Sequence, residues 1–441
     1  MALIVLAISI ALLLVLITWG KLNALLALLV TAFFAGVLNG MRADAALKSI
    51  LKGFGDTLGS LALMILFGAI LGKLIEESGA AHTITGALIR AMGPKRIQWA
   101  VLIVAFLIGL PMFYNAAFLV LIPLIYTLAT ETGLPLVWLG MPMAAGLSIV
   151  HGMLPPHPGP AAIAVTFHAD AGRTLLYGLP IAAIGAIVAG PLWAMFFRGL
   201  RTKPPANLHV ERKFASGSLP GFLVSVTTIL FPVALMIAGS IVALAVRRDN
   251  LLTASMRFLS DPNVALFLAV ALGCYTLGLR RGRTVEALMK DANSAVSGVA
   301  VVLFIIAAGG ALKQVLLDAG TGESVKHLTA GMSLSPIVLA WATAVLLRGA
   351  TGSATVAAIT AAGIVLPIVP SSGVRPELLV LAIGAGSTSL SHFSDSGFWM
   401  FKEYFNLSVR ETLSTWTMLE ILIALVGLGG VLLEHALLGP P

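Results

Sequence analysis

Charge is scarce in this chain: of its 441 residues only 10% are Asp, Glu, Lys or Arg. Soluble domains carry about 25%, and a soluble fold this depleted could not cover its own surface. Cysteine is nearly absent. Cys274 stands alone in an apolar run, which excludes a disulfide framework and leaves it as a small core residue. No basic residue precedes the apolar run at 2–19, so it lacks the lead of a secretory signal and reads as a retained first span. No nucleophile stands with a base and an orienting group, which argues against a membrane-embedded enzyme. His151 and His157 have no third ligand at metal-binding spacing, so neither zinc nor any other metal or cofactor is expected.

What fills the chain instead is hydrocarbon. Hydrophobic residues make up 59% and the mean hydropathy is +1.01. The 45 glycines and 22 prolines would break a soluble helical fold. In a bilayer they are tolerated, because neighbouring helices and water re-satisfy the freed backbone groups. The net charge of +8 does not point to nucleic acid, because Lys and Arg gather in short loops between apolar runs. The fold class expected is an all-α polytopic membrane protein.

The first half reads as spans at 2–19, 22–38 and 59–74, with an amphipathic segment at 80–92. Residues 98–130 contain no charge and are too long for one span and too short for two with a turn. Their middle, Gly109–Leu–Pro–Met–Phe–Tyr–Asn115, fits the tip of a re-entrant hairpin. Residues 135–168 read as one helix broken at His151–Gly–Met–Leu–Pro–Pro–His–Pro–Gly–Pro160, where prolines remove backbone donors. A span at 175–197 closes the half. A basic linker follows at 201–218, with Arg198 just before it and Arg201, Lys203, Arg212 and Lys213 within it.

The second half, 219–441, repeats the plan with an offset of roughly 240 residues, as repeat-built carriers do. Its spans fall at 222–246, 264–279 and 295–317, its hairpin at 336–370, its broken helix at 378–405 and its last span at 413–433. Residues 1–200 and 219–441 are thus expected to be two inverted repeats, each of about five transmembrane helices and one hairpin. A cytoplasmic linker puts both termini outside and the Arg280–Arg281–Arg283 cluster inside. It also puts Arg42, Lys48 and Lys52, and the Arg247–Arg248 loop, outside, against the usual charge bias.

Several polar residues stand at the interruptions. The second hairpin tip, Arg348–Gly–Ala–Thr–Gly–Ser–Ala–Thr–Val356, offers Gly352 for close approach and hydroxyls at Thr351, Ser353 and Thr355; small-residue helix packing is the alternative reading. Arg348 is the sole charge between His327 and Arg375. At membrane depth it is expected either to fork a substrate carboxylate or to pair internally with Asp395 or Glu403. Asn115, His151, His157, Thr388 and Ser389 complete the expected substrate contacts. His392 and Asp395 suit a proton relay, or else a hydrogen-bonded pair that only shapes the break. Glu76, Glu77 and Asp318 read as interfacial, and Lys402, Glu403 and Arg410 as lying at a membrane surface.

Three motifs, taken together and in order, resemble the gluconate permease family of the ion transporter superfamily. They are the His151–Pro160 run, Arg348 with Gly352–Ser–Ala–Thr–Val–Ala357, and Ser391–His–Phe–Ser–Asp–Ser–Gly–Phe–Trp399 with Lys402–Glu–Tyr–Phe405. The third departs at Ser394, where the family resemblance leads one to expect asparagine. The resemblance implies a bacterial inner-membrane, proton-coupled symporter for gluconate or a related sugar or hydroxy acid. It implies an elevator-type alternating-access dimer. Carriage of D-serine, glycerate or another small carboxylate, or coupling to sodium, is the alternative. The partners expected are the organic anion, protons, the lipid bilayer and a second copy of the chain, with no nucleic acid.

Overall fold

The computed structural model describes residues 2–205, 219–246, 250–319, 335–392 and 395–439. Most of the basic linker, including Arg212 and Lys213, lies outside them, as do Arg247, Arg248 and Ser394. Among the described residues the chain is all-helical, with nine helices long and apolar enough to cross a membrane.

The first half contains α1 (Ala2–Thr18), α2 (Ala24–Leu38), α3 (Ala43–Ser78), α4 (Ala80–Met92), α5 (Ile97–Gly109), α6 (Tyr114–Thr132), α7 (Leu136–Met153), α8 (Pro158–Phe167) and α9 (Ala171–Ile187). The second contains α10 (Phe222–Ala245), α11 (Leu251–Leu259), α12 (Pro262–Gly273), α13 (Val285–Asp318), α14 (Pro336–Thr351), α15 (Ala354–Val365), α16 (Pro376–Thr388), α17 (Ser396–Tyr404), α18 (Val409–Thr412) and α19 (Met418–Leu438). In each half a long helix is followed by two helix–break–helix units and a closing helix. Cys274 is only partly buried, in a short π-helical turn after α12.

Two elements are longer than hydropathy suggests. The runs at 59–74 and 295–317 are the apolar ends of α3, with 36 residues, and α13, with 34. At 1.5 Å per residue α3 reaches about 54 Å, well beyond a hydrocarbon core of about 30 Å. Its amphipathic start carries Lys48, Lys52 and Asp56, and no proline interrupts it. Hydropathy marks where lipid begins; it does not mark where the hydrogen-bond ladder stops.

α3 and α13 pack antiparallel along their lengths. Ser49 Oγ donates to Asp318 Oδ2 at 2.6 Å at one end of the pair. Further along, a Cβ on Gly53 would meet the Gly310 carbonyl and Gln314 Cβ, and one on Gly310 would meet Thr57. Small residues here let the backbones come close, as membrane helices require.

α7 and α16 form the interior. Their residues are almost all buried, and 89% of the apolar window over residues 136–167 lies inside the protein. They meet where Gly152 faces Gly384 and Thr388. Both helices end in interruptions, at residues 154–157 and 389–395, and those ends hold the polar groups described next.

Candidate functional site

A cavity of about 470 Å³ opens beside these interruptions. Four helix N-termini contribute to its wall: Tyr114, Asn115 and Ala116 of α6; Pro158 of α8; Ser353, Ala354 and Thr355 at α15; and Ser396 and Gly397 of α17. The sequence produces each start in a recognisable way. Pro158 opens α8 at a position where its missing N–H costs nothing. Gly352 takes φ 70°, closing α14 in the left-handed region. Ser353 then caps α15, its Oγ accepting from the Val356 N–H. Asp395 caps α17, accepting from the Gly397 N–H at 2.9 Å. First-turn amides carry partial positive charge, so the starts of α6 and α15 favour an anion; Pro158 brings no N–H, and the start of α17 already holds the Asp395 carboxylate.

Arg348 supplies the formal charge. It is 3% exposed on the last turn of α14 and lines the cavity. Nη2 donates to Asp395 Oδ2 at 2.5 Å, which resolves its partner as Asp395 rather than Glu403. Glu403 instead pairs with Lys402 at 2.7 Å. Nε and Nη1 of Arg348 are buried and have no hydrogen-bond partner among the described residues. Each is a charged donor suited to an oxygen of an incoming carboxylate. The Tyr114 hydroxyl, in the same wall, is also buried and unpartnered among the described residues.

Asp395 is held on several sides. Besides Arg348 and Gly397, its Oδ2 accepts from Ser391 Oγ, which in turn accepts from Trp416 Nε1 at 2.7 Å. The Ser391 carbonyl accepts from Thr417 Oγ1 at 2.5 Å.

The histidines divide. His151 lines the cavity. His157 sits behind it, 4% exposed, with Nε2 2.8 Å from the Gly109 carbonyl and Nδ1 3.3 Å from His151 Nδ1. A carbonyl only accepts, so His157 Nε2 carries the proton. In neutral rings His157 Nδ1 then accepts, His151 Nδ1 donates, and His151 Nε2 is left as an acceptor suited to a hydroxyl.

Of the residues singled out in the sequence, Asn115, His151, Arg348, Gly352, Ser353, Thr355, Thr388 and Asp395 line this one cavity. Three do not line it. His157 orients His151, Ser389 Oγ donates to the Gly386 carbonyl at 2.7 Å, and His392 Nε2 lies 2.9 Å from the Gly349 carbonyl. Glu76, expected at the interface, is part of the cavity wall with Lys73, which it meets at 3.1 Å.

Sequence reasoning missed Glu420. It is 2% exposed, lines the cavity, and accepts from Ser148 Oγ at 2.5 Å. Its signal was available, since it is the only charged residue between Glu411 and Glu434 in the last apolar run. Tyr114 and Trp416 were missed for a different reason: an aromatic in an apolar helix carries no mark of its position.

The sequence model described as GntP family permease matches residues 1–437. The chain belongs to the GntP permease family. It is a multi-pass membrane transport protein and not an enzyme. It is 46% identical over 438 residues to the Gnt-II system L-idonate transporter of Escherichia coli K12, covering 99% of this chain and 100% of that one. It is 44% identical to a high-affinity gluconate transporter of the same organism, covering 98% and 99%. It is 42% identical to the gluconate permease of Bacillus subtilis 168, again covering 98% and 99%. Among solved structures, this permease shares its fold with the YdaH transporter of Alcanivorax borkumensis. The TM-score is 0.63 at 16% identity, covering 90% of each chain. It shares it likewise with MtrF of Neisseria gonorrhoeae, with a TM-score of 0.63 at 14% identity, covering 92% of this chain and 93% of that one.

Proposed function

We propose that this permease takes up gluconate or a closely related sugar acid together with protons. The observation that carries the reading is the pairing of two unpartnered Arg348 donors with the helix starts of α6 and α15 around one cavity. Such a space suits a single carboxylate, which trades its water for fixed amides and a guanidinium. A sugar acid adds a chain of hydroxyls. The Tyr114 hydroxyl, Asn115, Thr355 and the His151 acceptor are groups of the right kind to meet them. The names of the relatives, gluconate and L-idonate transporters, agree with that chemistry.

In this reading the two halves are inverted repeats, and residues 98–130 and 336–370 are the two re-entrant hairpins. The binding unit moves across the membrane in elevator fashion, within a homodimer. The recurrence of element order in the two halves supports the repeat.

The test is uptake of labelled gluconate into proteoliposomes under an imposed pH gradient, with L-idonate, D-serine and glycerate as competitors. Accumulation that a protonophore collapses and sodium leaves unchanged is expected, with L-idonate competing best. Sodium-dependent uptake, or preference for D-serine or glycerate, would overturn the coupling or the substrate respectively.

A further inference from the structure

Of the three carboxylates in the cavity wall, Glu76 and Asp395 each pair with a cation, whereas Glu420 has no ion pair among the described residues. We propose that Glu420 carries the coupled proton, and that Asp395 is the standing counter-ion of Arg348. This rests on the proton-coupled reading above.

The two acids differ in their partners. Asp395 takes a guanidinium, a backbone N–H and a hydroxyl, so removing its charge would disturb Arg348 directly. Glu420 takes a single neutral hydroxyl, Ser148 Oγ, and no ion pair among the described residues includes it. Ser148 can donate to a carboxylate or accept from a carboxylic acid. The same pair therefore holds Glu420 in both protonation states without repacking.

Charge balance gives the coupling. Arg348 and Asp395 cancel. A substrate carboxylate entering beside an ionised Glu420 would place two negative charges in one low-dielectric space, which disfavours both. One proton on Glu420, taken from water in the cavity on the proton-rich side, removes the repulsion; no other bond changes. Release of the substrate on the other side lets Glu420 return that proton to water. One proton then accompanies each monovalent anion.

The surroundings isolate this switch. The titratable or charged groups facing Glu420 are Tyr114 on α6, His151 on α7, Arg348 on α14 and Asp395 before α17, with Lys73 and Glu76 on α3 in the same cavity wall. α9 and α16 also pack on α19. A Cβ on Gly430 would meet Ile181 and one on Gly185 would lie near Val426, while a Cβ on Gly427 would meet Ala385 and Arg375 reaches the Leu438 carbonyl. Both neighbours thus run antiparallel to α19, and their charged residues, Arg173 and Glu377, lie toward its far end.

The experiment compares wild type, Glu420→Gln and Glu420→Asp in proteoliposomes by two measurements: gluconate accumulation under a pH gradient, and counterflow exchange with no gradient. Glutamine mimics the protonated acid, so E420Q should lose accumulation above equilibrium and its dependence on internal and external pH while still exchanging gluconate. E420D should recover gradient-driven accumulation. Gradient-driven accumulation by E420Q would overturn the assignment. An E420Q protein that elutes as a monodisperse species yet does not exchange would also overturn it, since the residue would then be needed for binding or movement itself. If wild type shows no proton-driven accumulation, the coupling reading fails first, and E420Q is not then the cause.

Discussion

Arg348 on α14 donates to Asp395 before α17 at 2.5 Å while two of its other nitrogens stay buried without a partner among the described residues. A purely structural ion pair would satisfy the whole guanidinium, because each unmatched buried donor costs free energy. Two unmatched donors on a residue that lines a cavity are the mark of a binding residue.

Replacing Arg348 by Lys keeps the charge and loses the fork. Loss of one charge-assisted hydrogen bond costs about 1.5–3 kcal/mol, so gluconate affinity should fall roughly 10- to 100-fold. Arg348→Ala should also lower the thermal midpoint, because Asp395 is left buried without its cation. Scintillation proximity binding and a thermal-shift assay check the two effects separately.

Ser353 has two tasks that two substitutions separate. Ser353→Ala removes the cap of α15, a loss of about 1 kcal/mol, and should leave measurable uptake. Ser353→Leu adds a branched side chain to the cavity wall and should abolish uptake with expression intact. Equal uptake by both would place the substrate elsewhere.

The two histidines should act in series. His151→Leu removes the acceptor, and His157→Leu removes the group that fixes it. Each should raise the KM for gluconate, by about fivefold for a hydrogen bond of roughly 1 kcal/mol. The double variant should cost little more than His151→Leu alone, because positioning a missing group gains nothing. Initial uptake rates at varied substrate concentration check this.

Gly384 lies where α7 and α16 cross. An added Cβ would lie 2.7 Å from the Gly152 carbonyl and 3.1 Å from Met153 Cα, both backbone atoms that cannot swing aside. Gly384→Ala should destabilise the protein by about 1–3 kcal/mol. Gly159→Ala, whose Cβ would meet only Ala358 Cβ at 3.6 Å, should be close to neutral. Thermal unfolding followed by size-exclusion fluorescence distinguishes them.

Much of this was legible in the sequence because hydrocarbon makes polar residues conspicuous. The prolines from Pro155 to Pro160, the lone charge of Arg348 and the hydroxyl run ending at Ser391 could sit only where the helix stops or a cavity opens. What stayed hidden were relationships among residues far apart in the chain. Nothing local to His157 shows that it stands behind His151, and nothing local to Gly53 shows that Gly310 crosses it. Glu420 was visible but overlooked, hidden in an otherwise regular final span. The charged starts of α3 and α13 fall outside the apolar spans at 59–74 and 295–317, because hydropathy does not register the polar turns of a continuous helix.

The most direct test is a structure of the purified permease with gluconate bound. The ligand carboxylate is expected within hydrogen-bonding distance of the Arg348 guanidinium, at Nε or Nη1, near the first amides of α15, with its hydroxyls toward Tyr114 and His151. Gluconate found instead in the separate cavity of about 380 Å³ beside Asp170 and Ser240, with Arg348 untouched, would contradict it.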